Sequence, residues 1–278
     1  MSGKLSLEVV ENLGYYDFMG YMGVPFFNIG GRASMDRLAE LCHITGETRI
    51  LEVGCGTGTN ACYLAEKYGC TVVGIDLAEH MVHKANRRAA ELGVSDRATF
   101  RVGDAYRLDF PDGSFDAVVT VFVSQFLEPA RAFPEFNRVL KTGGYLGVNE
   151  MYHTENIPAE AKEQVAASEK TFRELTDLPF TLRSPETWRS AFTGAGFTGV
   201  AVEEHPNSEQ RPYSSLVEEF GGWGKLLGTL WRVAVYALIS GKMRKKFAAI
   251  SSTKKTLIRG KETSKYIGYV LCAGKNQK

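Results

Sequence analysis

Leu51-Glu-Val-Gly-Cys-Gly-Thr-Gly-Thr59 decides how this chain is read. It continues a short apolar run, Arg49–Val53, that reads as a buried strand, and it leads into Asn60–Tyr68, where apolar residues recur at helical spacing. A glycine-rich turn between strand and helix is the usual place for a ligand loop at the carboxyl edge of a sheet. Glycines at 54, 56 and 58 let the backbone pass close to a ligand and present amides at a helix N-terminus. A dinucleotide fingerprint, G-x-G-x-x-G, would need its third glycine at 59, where Thr59 stands. The spacing here is G-x-G-x-G, preceded by Glu52.

Working outward, Thr71–Ile75, Thr99–Val102, Phe115–Val121 and Gly144–Asn149 read as further strands. Asn60–Tyr68, Ala78–Leu92 and Ala130–Leu140 read as the helices between them. Strand–helix alternation of this kind predicts a doubly wound, mostly parallel α/β sheet with helices on both faces. Beyond it, Ala159–Leu175 reads as a helix, and Ser184-Pro-Glu-Thr-Trp188 opens another with a serine cap and proline at the first position. Gly199–Glu203 and Tyr266–Ala273 read as two final strands. The roughly sixty residues between them far exceed a hairpin loop and must be an insertion. The expected organisation is an N-terminal cap over 1–32, a core over 33–205 and 264–278, and a basic helical insertion or lid over 206–263.

The glycine spacing resembles motif I of the class I S-adenosylmethionine-dependent methyltransferases, and companions follow in the order that family shows. Gly74-Ile-Asp-Leu77 ends the second strand with an acid; Gly103-Asp-Ala105 ends the third. Phe110-Pro-Asp-Gly-Ser-Phe-Asp-Ala117 leads into the fourth, and Arg138-Val-Leu-Lys-Thr-Gly-Gly-Tyr145 precedes the fifth. The resemblance covers roughly residues 45–150 and is nearest to the type 11 group that includes quinone-ring and phosphobase methyltransferases. It implies a seven-stranded Rossmann-like sheet, S-adenosylmethionine as cofactor and S-adenosylhomocysteine as product. It also places Asp76 on both ribose hydroxyls and Asp104 on the adenine amine. The chemistry of the residues agrees: the Gly54–Gly58 amides are donors for a methionine carboxylate, and an ionised Asp76 suits two vicinal hydroxyls. Leu77 and Met81 are placed to offer adenine an apolar face, or are ordinary core. Phe122 lies where a pocket near the sulfonium would be lined. Glu52 and Ala105 complete the expected cofactor set, with Cys55 as a small filler in the loop rather than a nucleophile. Asp76 would also suit the ribose of NAD, but the missing glycine counts against an oxidoreductase.

Methyl transfer is an in-line displacement on an activated carbon, so the protein supplies orientation, plus a base where the acceptor must lose a proton. Asp116–Phe122 contains no Asn/Asp-Pro-Pro-aromatic signature of amino-methylation and no Pro-Cys pair of cytosine C5 chemistry. Cysteines outside the glycine-loop region are too few for arsenite methylation. The small-molecule members build their acceptor sites from an N-terminal cap and from segments after the fourth and fifth strands. In this chain those are Gly14–Asn28, Ser124–Phe126 and Glu150–His153. His153 and Glu150 are the base candidates, with Tyr16 beside them as a third catalytic candidate. Tyr15, Tyr21, Gln125 and Tyr152 are the candidate acceptor contacts; the cap aromatics read equally well as a face packed on the sheet. His80 and His83, three apart on a helix, lack a third ligand, so no metal is expected.

Composition bounds the rest. The chain has 278 residues, 44% hydrophobic and 23% charged, with a net charge of +1, as a globular protein has. Five cysteines without a CxxC pair, no signal-peptide core at the N-terminus and no membrane-spanning run predict a cytoplasmic protein. Charge is unevenly placed. Between Lys225 and Lys265 eleven Lys/Arg face one acid, Glu262. Trp223, Leu226, Leu227, Leu230, Val233, Ala234, Ala237 and Leu238 recur there at helical spacing, with Lys225, Thr229, Arg232 and Tyr236 opposite. Two readings stay open: a lid packing this apolar face on the core, or peripheral contact with a membrane surface through 223–261. Few aromatics interleave with the bases, which weakens a nucleic-acid partner. The expected function is methylation of a small, partly apolar acceptor. The alternatives are RNA methylation through the insertion and a regulator that binds the cofactor without turnover. The acceptor atom and the oligomeric state stay open.

Overall fold

The structure, a computed structural model, describes residues 5–24, 30–206, 217, 220–259 and 263–278, with the side chains of all but 253–259. Pro25–Ile29, at the end of the expected cap, lies outside the described residues, as does most of 207–219 at the start of the insertion. Seven strands form one sheet in the order β3-β2-β1-β4-β5-β7-β6. β1 (Arg49–Val53), β2 (Thr71–Asp76), β3 (Ala98–Val102), β4 (Phe115–Val121) and β5 (Leu140–His153) run parallel. β6 (Phe197–Pro206) and β7 (Ile267–Asn276) close the sheet, with β7 antiparallel to both its neighbours. Runs such as Phe115–Val121 are apolar at nearly every position because the sheet is covered on both faces.

On one face lie α3 (Gly31–Leu41), α4 (Thr59–Tyr68) and α5 (Glu79–Leu92). On the other lie α6 (Pro129–Val139) and α8 (Pro185–Gly194), where Phe133, Phe136, Trp188 and Phe192 fill the core. Alternate residues of β7 serve the two clusters, Leu271 and Ala273 on one face, Val270 and Cys272 on the other. The strand order turns back between β1 and β4, and this switch point brings together the loops after β1, β2 and β4.

β5 is longer than the expected Gly144–Asn149. Residues 145–153 pair along their length with β7, more than a hundred positions away in sequence. Glu150, Tyr152 and His153 are therefore strand residues, not a loop after the strand as their sequence suggested.

Between β6 and β7, α9 (Trp223–Ile239) and α10 (Gly241–Arg259) form a helical pair. They pack on α1 (Leu7–Asn12), α2 (Tyr15–Met22) and α7 (Ala159–Thr176). Val10, Phe18, Met19, Met22 and Met243 are buried there, with Val233, Tyr236 and Phe247 around them. The orientation of α9 departs from the sequence reading. Thr229, expected on the polar side, is buried, and Tyr236 is half-buried, while Leu227, Leu230 and Leu238 face outward. The reason is polar: Thr229 Oγ1 donates to the Gly23 carbonyl at the end of α2, and the Tyr21 and Tyr236 hydroxyls hydrogen-bond at 2.9 Å. The edge of α2 presents groups that need partners, so α9 turns its hydroxyl-bearing side to it.

Candidate cofactor and acceptor site

The loop after β1 is built on glycines in left-handed backbone. Gly54 has φ +72°, and a Cβ there would stand 2.2 Å from Val123 Cγ2 in the turn after β4. Gly58, at φ +73°, would meet Phe100 and Ala85 at 2.8 and 2.9 Å. Thr59, where a dinucleotide loop has glycine, is instead the first residue of α4. The amides do not stand as expected. Gly54 and Cys55 both donate to the Ile75 carbonyl, Gly58 to the Cys55 carbonyl, and Gly56 to Asp76 Oδ2 at 2.8 Å. These donors hold the loop on β2 and are not turned toward a ligand carboxylate. What Gly54 and Gly58 provide is room for Val123, and for Phe100 and Ala85, to pack directly on the loop. Cys55 is buried, and burial holds its thiol protonated.

Asp76 ends β2 with its other oxygen accepting from the Ala78 amide at 2.9 Å. Burial raises its carboxyl above the ordinary value, against the pull of those two amides. Glu52 is wholly buried on β1, and burial pushes it up to about 8. Its Oε2 has no hydrogen-bond partner. Tyr16, from α2, comes down onto this edge: the charges of Asp76 and Glu150 both act on its hydroxyl, and burial raises it well above the usual tyrosine range.

The turn after β4 forms the opposite wall. Phe122 adopts φ +61°, a strained conformation for a bulky residue, and its amide donates to the Asn149 carbonyl. Glu150 makes this turn possible. It is wholly buried, and its Oε1 accepts the amides of Val123 at 2.9 Å and Ser124 at 2.7 Å. Burial nonetheless raises it to about 7, and its Oε2 has no partner. Gln125, also buried, accepts from the Met151 amide through Oε1, while its Nε2 has no partner. Around these polar groups stand Phe126, Met151, Phe180 and Ile267, with Tyr16, Phe122 and Phe172 partly covering them. Tyr16 and Phe126 meet edge to face at 5.7 Å.

The structure thus brings together Glu52, Gly54, Cys55, Gly56, Gly58, Asp76, Tyr16, Phe122, Gln125 and Glu150. Other candidates sit apart. Leu77 is 69% exposed at the rim, and Asp104, also exposed, uses Oδ1 to accept the Tyr106 amide. Asp104 borders a cleft of about 200 Å3 with Ile75 and Val102. Ala105 is buried in the core beneath it. Met81 is buried under α2, its sulfur placed 2.7 Å from where a Cβ on Gly20 would be. Tyr15 packs edge to face on Tyr16 and Phe172, and burial raises its hydroxyl to about 12. Tyr21 is engaged with Tyr236 of α9. Tyr152 lies in the core on the α6 side, its hydroxyl reaching Glu204. His153 ends β5 with Nδ1 at 2.9 Å from the Thr154 carbonyl. Strand alternation puts it on the face opposite Glu150.

Two contributors were missed in the sequence. Arg183, just before the α8 cap, is mostly enclosed; it donates to the carbonyls of Ser124 and Leu127, and its charge acts on Glu150. Lys84 of α5 donates to the Gly20 carbonyl, tying α2 to the core, and burial lowers it to about 8. No spacing announces either; only the packing does. Among the described residues there is no cluster of three or more His, Cys, Asp or Glu that could hold a metal.

A sheet of this order, with a glycine loop and a terminal β2 acid at its switch point, defines a class I methyltransferase fold. Comparison with known proteins agrees. Residues 51–148 match the family model described as a methyltransferase domain. The chain is 30% identical to 27-O-demethylrifamycin SV methyltransferase of Amycolatopsis mediterranei, over 67% of each protein. It is 33% identical to phosphatidylethanolamine N-methyltransferase of Cereibacter sphaeroides, over 51% of this chain and 70% of that one. The Streptomyces coelicolor geranyl diphosphate C-methyltransferase, solved with S-adenosyl-L-homocysteine, shares the fold. Its TM-score is 0.59 at 18% identity, covering 88% of this chain and 76% of that one. The chain belongs to the class I S-adenosylmethionine-dependent methyltransferases. It spans only 31% and 60% of the length of two other methyltransferases it matches.

The residues present fit S-adenosylmethionine. Asp76 at the end of β2 would offer acceptors for the ribose, and the buried, unpartnered Glu52 Oε2 would suit an ammonium group. A cation beside Glu52 would stabilise its ionised form and offset the burial that raises it.

Proposed function

We propose that this chain methylates a small, partly apolar acceptor held between α2 and the turn after β4. The observation that supports this most is the pairing of an aromatic wall with two buried, unpartnered polar atoms, Gln125 Nε2 and Glu150 Oε2. Ligand sites combine apolar walls with a few convergent polar groups in this way. When bound, S-adenosylmethionine supplies an activated methyl group and a thioether leaving group. Phe122, Phe126 and Tyr16 would bind the apolar part and keep water out, while Gln125 Nε2 would donate to an acceptor oxygen. An acceptor that must lose a proton would pass it to Glu150 Oε2, since a base works best with a pKa near the working pH. Of the two base candidates Glu150 fits this role better than His153, whose Nδ1 is turned to the Thr154 carbonyl.

The test is transfer of labelled methyl from S-adenosylmethionine to a panel of quinols, phenols, phospholipid head groups and tRNA. Label in a small, solvent-extractable product supports the reading. Label in tRNA alone overturns it, and cofactor binding without transfer to any acceptor favours a regulator.

A further inference from the structure

Half of the large apolar side chains exposed among the described residues sit on one helix. Trp223, Leu227, Leu230, Trp231 and Leu238 of α9 fall on one stripe, with Ile239 at its end; Trp231 is 72% and Leu238 79% exposed. The opposite side of α9 is satisfied, with Leu226 and Thr229 buried against the cap. This stripe has no partner within the described chain, and helices of soluble proteins seldom leave so continuous an apolar face in water. Its charge setting is one-sided: residues 223–259 carry nine Lys/Arg and no Asp or Glu. Arg244 folds back on the end of α9, donating to the Ala237 carbonyl, which puts a guanidinium beside Leu238. Lys242 and Lys245 are exposed on the next turn. Short α1 adds exposed Leu7 and Val9 near this elbow, held there by Lys242 on Asn12 and Lys246 on the Leu13 carbonyl.

We propose that α9 and the start of α10 dock on an anionic lipid surface. Trp and Leu side chains would enter the headgroup–acyl boundary while the lysines and arginines meet lipid phosphates. No described helix is long and apolar enough to cross a membrane, so α9 would lie in the interface plane. Seventeen residues give it a length of about 25 Å, enough to present the whole stripe at once. Anionic lipid fits better than an apolar protein partner, because the nine cations of this segment outnumber the acids that face it, Glu91 beside Lys225 and Glu11 on Ser240, and so complement a negative surface. α9 rests on the end of α2, the helix that carries Tyr16, so docking would bring the N-terminal cap close to the bilayer.

The test uses the full chain and vesicles of phosphatidylcholine alone or mixed two to one with phosphatidylglycerol. The wild type should sediment with the mixed vesicles, bind pure phosphatidylcholine about tenfold or more weakly, and lose binding at high salt. Its tryptophan emission should shift to the blue on binding. The pair Leu227→Glu and Trp231→Glu lies on the outer face and should abolish sedimentation. It should leave the melting temperature and cofactor affinity unchanged. Lys245→Glu should weaken binding several-fold on mixed vesicles only. Three results would overturn the proposal: a wild type that stays in the supernatant, a stripe variant that binds as well as wild type, or a wild-type dimer that the stripe variant dissociates without any vesicle binding. Salt-sensitive binding to tRNA with none to vesicles would overturn it too.

Discussion

Replacing Asp76 with alanine removes a carboxylate that holds the glycine loop and that, by the ribose assignment, would also meet the ligand. Its oxygens accept the Gly56 and Ala78 amides at 2.8 and 2.9 Å, so the change removes one of the three amide ties of the glycine loop to β2 and frees the Ala78 amide, while Gly54 and Cys55 stay on the Ile75 carbonyl. Hydrogen bonds to charged groups contribute about 1.5–3 kcal/mol each. Both amides are partly solvated once released, so the stability loss should lie near the lower end for each, about 3–4 kcal/mol in all. For the ligand, loss of the charged acceptor of the ribose hydroxyls should weaken S-adenosylhomocysteine by about 1.5–3 kcal/mol, roughly 10–150-fold. Asp76→Asn retains one acceptor oxygen, so it should restore part of the stability but little of the affinity. Calorimetric titration with S-adenosylhomocysteine gives the affinity, and circular dichroism melts confirm that the variants are folded. Burial raises the Asp76 carboxyl, so wild-type affinity should also fall as pH drops through that raised value, a dependence Asp76→Ala lacks. A folded Asp76→Ala that binds within about twofold of wild type would refute the ribose assignment.

Gly54→Ala must accept left-handed backbone and a Cβ 2.2 Å from Val123, so unfolding in urea should show a loss of about 2–5 kcal/mol; stability within about 0.5 kcal/mol of wild type would count against the crowding. Glu150→Gln keeps an oxygen for the Val123 and Ser124 amides and should fold, but it should lower kcat and remove the limb of the pH–rate profile near 7; an unchanged profile would end its role as base. Glu52 is raised to about 8 from an ordinary 4.5, so the folded chain holds a proton that the unfolded chain releases across that window. Its contribution to stability is therefore present in acid and lost as pH rises through the window, by up to about 1.4 kcal/mol per pH unit. Melts of Glu52→Gln should decline less with pH than those of wild type, and parallel curves would contradict this.

Most of the sheet was legible because burial on both faces writes itself as apolar runs: Arg49–Val53 and Phe115–Val121 are strands at the expected residues. The glycine loop was legible because left-handed backbone at Gly54 and Gly58 demands that residue type. What local pattern hid was set by distant partners. The end of β5 reads as a polar loop, and only pairing with β7 makes Glu150 a buried strand residue that shapes the next turn. Amides that looked ready for a ligand were claimed by Ile75 and Asp76. The helical period of α9 was plain, but its inward side was chosen by Gly23 and Tyr21 of a segment two hundred residues earlier. Arg183 carries no pattern and emerges only from its carbonyl contacts.

The most direct measurement is titration calorimetry of the full chain with S-adenosylmethionine and S-adenosylhomocysteine, with NAD as control. Micromolar binding of both sulfur compounds, and no heat from NAD, is the predicted result. Binding of NAD with neither sulfur compound would contradict the reading of the glycine loop and of Asp76.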